Sequence, residues 1–377
     1  MRLLMITQDF PPDVGGIQSY AFELAGRLVH RCDDFAVLAP KISGSETVDA
    51  TLPFEVIRVQ ATYDTLAFKA FPVLLKTAQR RFDTAFHVQW TTAIATLAAR
   101  PFGGPNRIYV AAHAREILLE PLSNYLNRFY NACRRGVLAR ADGFLAMSHF
   151  TASLLEQAGV NPTNISVTFS GVDPDRFRPQ DITAFRKEMG LEKRRIIFSV
   201  CRLVPRKGLD TVIRALPRVA EVVPDVLYLI GGNGPDRNRL EALVRQCNVE
   251  THVRFVEMIP DEALPLYYNV ADVFTMPARA TGADVEGFGL VFLEANACET
   301  PVIGARTGGI PDAVSDTETG LLVDPDNHEA LADSLIRLLN DPEYAQRLGR
   351  QGRARILREL TWDHIADRTY AVLAGGS

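Results

Sequence analysis

Short apolar runs alternate along the chain with longer stretches in which apolar residues return every three or four positions. In the first half, Leu3 to Thr7, Phe35 to Ala39, Phe54 to Val59, Ala85 to Val88, Arg107 to Ala112 and Ala141 to Ser148 read as strands. They are apolar throughout, as expected of parallel strands covered on both faces. Between them lie helical patterns, one through Ile17, Tyr20, Leu24 and Leu28 and another from about Phe71 to Arg81. The second half repeats this logic. Ile196 to Val200, the run through Tyr228-Leu229-Ile230, Val253 to Met258 and Val273 to Pro277 read as strands, and His328 to Leu339, Glu343 to Leu357 and Thr361 to Leu373 as helices. Regular strand–helix alternation predicts an α/β protein.

A chain of 377 residues is long for one core, so two domains are expected. The turn-rich stretch Ser170-Gly171-Val172-Asp173-Pro174-Asp175-Arg176-Phe177-Arg178-Pro179 marks the boundary. It predicts a first domain over 1–170, a hinge over 171–179 and a second domain over 180–360, with the last helix, 361–377, returning to the first domain.

A net charge of -4 and an apolar content of 47% fit a globular enzyme without the basic footprint of a nucleic-acid binder. The five cysteines have no C-x-x-C spacing, which predicts reduced thiols and a cytoplasmic protein. The opening residues lack the apolar core of a signal peptide and no stretch is long enough for a membrane span, so any membrane contact is expected to be peripheral. No His, Cys or carboxylate cluster has metal-ligand spacing, and neither a metal nor a cofactor is expected.

Four stretches carry candidate chemistry. In Glu286-Gly287-Phe288-Gly289-Leu290-Val291-Phe292-Leu293-Glu294, two carboxylates bracket glycines and the start of a short apolar helix. Carboxylates accept hydrogen bonds from sugar hydroxyls, and free amides at a helix start attract phosphate; alone, such a pair equally reads as two solvated charges. Near the N-terminus, Phe10-Pro11-Pro12-Asp13-Val14-Gly15-Gly16 joins the first strand to a helix, which suits either a diphosphate cradle or a tight turn needing positive φ. His113 follows a strand, at the end of a parallel sheet where ligands bind. Arg202 and Lys207 flank a short loop after another strand, and paired cations there would stabilise charge on a departing diphosphate. Arg206 reads as a loose surface cation, Ser148 as a helix N-cap and Trp90 as a packing residue.

The run E-G-F-G-L-V-F-L-E-A, followed by P-V-I-G and G-G-I-P-D, resembles the nucleotide-sugar site of retaining glycosyltransferases of family 4. The F-P-P-x-x-G-G-I-Q loop, the H-A-R-E segment, the R-L-x-x-x-K-G run and the linker resemble further signatures of that family in the same order, with the nearest likeness to its phosphatidylinositol mannosyltransferase branch. The resemblance implies a GT-B fold, two facing Rossmann-like domains with a cleft between them. It implies metal-independent hexose transfer, with retention, from a GDP- or UDP-sugar to a lipid or glycan hydroxyl, the departing phosphate oxygen serving as base.

Carried onto this chain, the resemblance makes His113, Arg202, Lys207 and Glu286 the catalytic set. The donor is expected to contact Gly15, Gly16, Gly232, Val256, Met258, Phe288, Gly289, Leu290 and Glu294 as well, with Glu294 on the ribose and the amides of Phe288 to Leu290 on phosphate. Gln18, Arg115 and Glu116 are acceptor-side candidates. The chain departs from the family pattern at Ala114, Ser170 and Glu299; the last replaces a glycine at a turn, where a left-handed backbone would strain glutamate.

A sugar-nucleotide epimerase or hydrolase of the same fold and a non-catalytic nucleotide-sugar sensor are the rival readings; a dehydrogenase is disfavoured because G-x-G-x-x-G is missing. The lipid alternative rests on the helix from Phe71, where Phe71, Leu74, Leu75, Ala78 and Phe82 share one face and Lys76 and Arg80 the other, with Lys69 and Arg81 nearby. That basic face, with Arg134 and Arg135, would rest on the anionic inner face of a membrane.

Overall fold

A computed structural model describes residues 1–13, 15–62, 65–78, 82–117, 125–282 and 284–375. The chain divides into two compact units, Met1–Gly171 with Trp362–Ser377, and Val172–Thr361.

The first unit is built on a parallel sheet of seven strands: β1 (Arg2–Ile6), β2 (Asp34–Pro40), β3 (Glu55–Val59), β4 (Thr84–His87), β5 (Arg107–Ala112), β6 (Gly143–Ala146) and β7 (Ile165–Val167), in the order β3-β2-β1-β4-β5-β6-β7. Strand order reverses direction between β1 and β4, the switch point at which open α/β sheets bind ligands outside the carboxyl ends of their strands. The helices are α1 (Gly16–Leu28), α2 (Ser45–Asp49), α3 (Leu66–Ala78), α4 (Trp90–Ala99), α5 (Tyr125–Leu138) and α6 (His149–Gln157).

In the second unit six parallel strands, β8 (Arg195–Val200), β9 (Val226–Gly231), β10 (Val253–Val256), β11 (Val273–Met276), β12 (Val302–Ala305) and β13 (Gly320–Val323), run in the order β10-β9-β8-β11-β12-β13. Here the switch lies between β8 and β11. Its helices are α7 (Thr183–Glu188), α8 (Leu209–Val222), α9 (Arg237–Gln246), α10 (Leu264–Val270), α11 (Leu290–Ala297), α12 (Ile310–Ala313), α13 (His328–Asn340) and α14 (Pro342–Glu359). The last helix, α15 (Trp362–Ala374), belongs to the first unit, where Trp362 meets Tyr20 of α1 edge-on with ring centroids 6.0 Å apart. Arg31, just beyond α1, pairs with Asp367 of α15 at 2.7 Å.

Local chemistry explains the element ends. Ser148 caps α6, accepting the Thr151 amide at 3.0 Å, and Trp90 is buried against Tyr130. Helix α3 begins at Leu66, five residues before the expected Phe71, because Leu66, Ala67 and Ala70 bury an additional apolar stripe. Pro72 sits within it, and the carbonyl left without a helical donor belongs to Phe68, an exposed residue. Arg80 and Arg81, part of the expected basic face, lie outside the described residues.

Candidate active site

In the second unit the signature residues meet around one carboxylate. Pro205–Lys207 forms a single 3-10 turn after β8, held against the segment after β11 by the Arg279 amide, which donates to Arg206 O at 2.8 Å. That turn carries two cations to Glu286: Lys207 Nζ donates to Oε2 at 2.6 Å and Arg206 Nη1 to the same oxygen at 2.9 Å. The Glu286 carbonyl accepts the Gly309 amide at 2.9 Å, so the G-G-I-P-D run fixes the backbone behind it. Burial alone would raise the carboxyl, but the Lys207 and Arg206 charges and hydrogen bonds outweigh it and hold it at about 2. Glu286 is therefore ionised at any working pH. Its Oε1 has no donor among the described residues.

Arg206 corrects an expectation. It is 20% exposed and also reaches Asp284 at 3.0 Å, so it is part of the constellation and not a loose surface cation. The reason is steric. The turn between Val204 and Gly208 places consecutive side chains on the same carboxylate, a proximity that sequence spacing does not reveal. Arg202 is exposed and makes no ion pair among the described residues.

Gly289, at φ 96°, turns the chain into α11; a Cβ there would stand 2.7 Å from the Phe292 ring. The helix accordingly starts at Leu290, later than expected. Phe288 and Gly289 belong to the preceding turn, and the first-turn amides of Leu290 and Val291 have no acceptor among the described residues, whereas the Phe292 amide bonds Gly289 O at 3.0 Å. Glu294 projects from this helix and takes the hydroxyl hydrogen of buried Tyr268 on Oε2 at 2.6 Å. Burial raises the Glu294 carboxyl, and the Tyr268 bond opposes that rise. Its other oxygen also has no donor among the described residues.

Gly232 at the end of β9 lies at φ 108°, where a Cβ would stand 2.1 Å from Cys201 O; its amide faces Val256 O at 3.3 Å. Val256 is half-buried and Met258 is 84% exposed.

In the first unit His113 follows β5. A carbonyl only accepts, so the contact of Nε2 with Val88 O at 2.9 Å places the proton on Nε2 and leaves Nδ1 as an acceptor. Burial lowers its pKa, with Glu116 and the Val88 bond opposing, so the ring is neutral at pH 7. Glu116 Oε1 accepts the His113 amide at 2.5 Å; Ala114 between them is buried at φ 89°, and Arg115 is exposed. The Gly15-Gly16 loop does not use positive φ: Gly15 is extended at φ 169° and caps α1, so the tight-turn reading fails there. Arg134 turns inward to Ile117 O at 2.7 Å, while Arg135 is exposed.

Two parallel-sheet Rossmann-like units, with a cation-bound carboxylate beside a glycine-led helix, define a nucleotide-sugar enzyme of GT-B architecture. Comparison with known proteins makes this specific. Residues 14–176 match Glycosyltransferase Family 4, and residues 181–355 match Glycosyl transferases group 1. A GDP-mannose-dependent alpha-(1-6)-phosphatidylinositol monomannoside mannosyltransferase of Mycolicibacterium smegmatis is 36% identical over 99% of this chain and 98% of its own. A GDP-mannose-dependent monoacylated alpha-(1-6)-phosphatidylinositol monomannoside mannosyltransferase of Corynebacterium glutamicum is 32% identical over 99% and 97%. Among solved structures, sucrose-phosphate synthase from Thermosynechococcus elongatus superposes with a TM-score of 0.80 at 23% identity, covering 100% of this chain and 99% of its own. Anabaena HepE in complex with UDP superposes with a TM-score of 0.81 at 21% identity, covering 100% of both chains. The chain belongs to glycosyltransferase family 4. It is a glycosyltransferase that takes its sugar from a nucleotide sugar.

Proposed function

We propose that this enzyme moves mannose from GDP-mannose to a hydroxyl of a phosphoinositol-mannoside lipid, with retention and without a metal ion. The observation that carries the reading is the Lys207–Glu286 contact at 2.6 Å, beside the free amides of α11. As the glycosyl–phosphate bond breaks, negative charge grows on the diphosphate; Lys207, exposed Arg202 and the Leu290 and Val291 amides are fixed donors for it. When the diphosphate draws Lys207, Arg206 still neutralises Glu286, which then holds a donor-sugar hydroxyl through Oε1. Glu294, pinned by Tyr268, takes the ribose hydroxyls, and neutral His113 accepts a sugar hydroxyl at Nδ1. Attack comes from the face the phosphate leaves, the phosphate oxygen receiving the acceptor proton. The GDP-mannose donor and the lipid acceptor follow the activities of the two mannosyltransferases that match 99% of the chain.

An exposed aromatic cluster supports peripheral membrane contact. Phe68 and Phe102 are 57% and 60% exposed, Phe71 meets Phe102 edge-on, and Lys69 and Lys76 are exposed on the same helix as Phe68. Among the described residues no helix is long and apolar enough to cross a membrane.

The test is incubation with radiolabelled GDP-mannose, UDP-glucose and ADP-glucose, each with phosphatidylinositol monomannoside, with and without EDTA. A labelled lipid from GDP-mannose alone, α-linked by NMR and formed equally in EDTA, is the expected result. Transfer only from another nucleotide sugar refutes the donor, a β-linked product refutes retention, and loss of activity in EDTA refutes metal independence.

A further inference from the structure

A hydrogen-bonded polar cluster around Asp9, a residue so far without a role, lies at the carboxyl ends of β1 and β4. Asp9, half-buried two residues after Thr7, accepts Gln18 Nε2 on Oδ1 at 2.7 Å and Gln89 Nε2 on Oδ2. The Gln89 amide cannot turn over, because its Oε1 takes the Gln8 amide hydrogen at 3.2 Å. Gln8 is held in turn by the Thr91 hydroxyl at 2.6 Å. Thr7 Oγ1 accepts the Asp9 amide at 3.1 Å and donates to Asp9 O at 2.8 Å. Gln18 is seated by Gly15, where a Cβ would stand 2.5 Å from Gln18 Oε1. Gly15 thus makes room for the amide that orients Asp9.

This arrangement is costly if it serves only the fold. Gln18 from α1 and Gln89 from the turn before α4 face the carboxylate, Thr7 just after β1 holds the Asp9 backbone, and Asp13 from the same loop is the charged group acting on it among the described residues. Arg58 of β3 is turned instead to Asp49, Pro40 O and Pro11 O. Burial, and then the Asp13 charge, raise the Asp9 carboxyl to about 6. A carboxylate accepts about four hydrogen bonds, and the two amides supply two. Negative charge there repels a diphosphate and attracts hydroxyl donors, so the matching ligand is a polyol and not the nucleotide sugar's phosphates. We infer that Asp9, oriented by Gln18 and Gln89, binds a hydroxyl of the acceptor's polyol headgroup, an assignment that rests on the acceptor class proposed above.

The probe is glycerophosphoinositol monomannoside, a phosphodiester whose own charge does not change near pH 6, titrated by calorimetry into the full-length protein; GDP is titrated in parallel. Asp9→Asn and Asp9→Ser are each expected to weaken probe binding about tenfold or more, the loss of one charge-assisted hydrogen bond, while GDP affinity stays that of wild type. Wild-type affinity for the probe should fall as pH drops through about 6 and stay flat in Asp9→Asn. Absence of probe binding by wild type, equal binding by both variants, or a matching loss of GDP affinity overturns the assignment. Release of mannose from GDP-mannose to water needs no acceptor and tests the donor reading separately.

Discussion

At the scale of single residues, the structure turns Arg206 from a bystander into a partner. Since Arg206 and Lys207 share one oxygen of Glu286, Lys207→Ala should cut turnover about a hundredfold, as for loss of one preorganised donor. Arg206→Ala should cost about tenfold through a misoriented Glu286, with partial recovery in Arg206→Lys. Steady-state kinetics on the three variants decides, and a wild-type rate in Arg206→Ala would return that residue to the surface. Glu286→Gln leaves Lys207 without its carboxylate and Arg206 with Asp284 alone, and should destabilise the fold by about 3 kcal/mol at neutral pH. The Glu286 carboxyl is held near 2, below its unfolded value. Its stabilisation is therefore complete above about pH 5 and is lost as pH falls through the folded value. Melting curves should show a constant gap between wild type and variant from pH 8 to 5, closing only below; a gap that closes near pH 6 would contradict the ion pairing. Glu299 does occupy the left-handed region expected of it, at φ 61° after α11. Glu299→Gly should stabilise by about 1 kcal/mol, raising Tm by about 2 °C, and a fall in Tm would mean that its side chain contributes more than its backbone costs.

Among elements, α11 carries Glu294, and what fixes that side chain comes from α10. The E-x7-E spacing places Glu294 on a helix, but nothing in the sequence shows that Tyr268, an unremarked residue of α10, buries its hydroxyl against it. Tyr268→Phe keeps the packing and removes one hydrogen bond. Donor KM should rise about tenfold with kcat nearly unchanged on the proposed assignment of Glu294 to ribose, which is held equally in ground and transition states. A fall in kcat at constant KM would place Tyr268 and Glu294 on the reacting sugar instead. Helix starts were the least legible features: α11 begins after Phe288 and Gly289 because Gly289 adopts positive φ, and α3 begins at Leu66 because tertiary burial recruits a stripe that periodicity alone left outside.

For the molecule as a whole, surface character bears on where the enzyme works. A net charge of -4 disfavours general adhesion to anionic bilayers, so the membrane contact proposed above rests on the local aromatic and basic residues of α3 and on Phe102. Co-sedimentation with phosphatidylglycerol vesicles at low salt should be strong, weaker with phosphatidylcholine, and lost in a Phe68→Ser/Phe102→Ser double variant; equal binding by that variant would move the contact elsewhere. By itself the sequence determined the α/β class and the parallel sheets, because uninterrupted apolar strands and helical periodicity are local patterns that need no knowledge of neighbours, while the family was legible only through the resemblance of its short motifs. It also nominated Glu286, Glu294, Lys207 and His113, through the resemblance of the motifs that carry them and not through spacing alone. Only the tertiary structure decided what those groups touch. Arg206 on Glu286, Tyr268 on Glu294, and Gln18 with Gln89 on Asp9 join residues separated by 80, 26, 9 and 80 positions. The carboxylate values near 2 and 6 follow from those contacts and from burial, which a linear sequence does not contain.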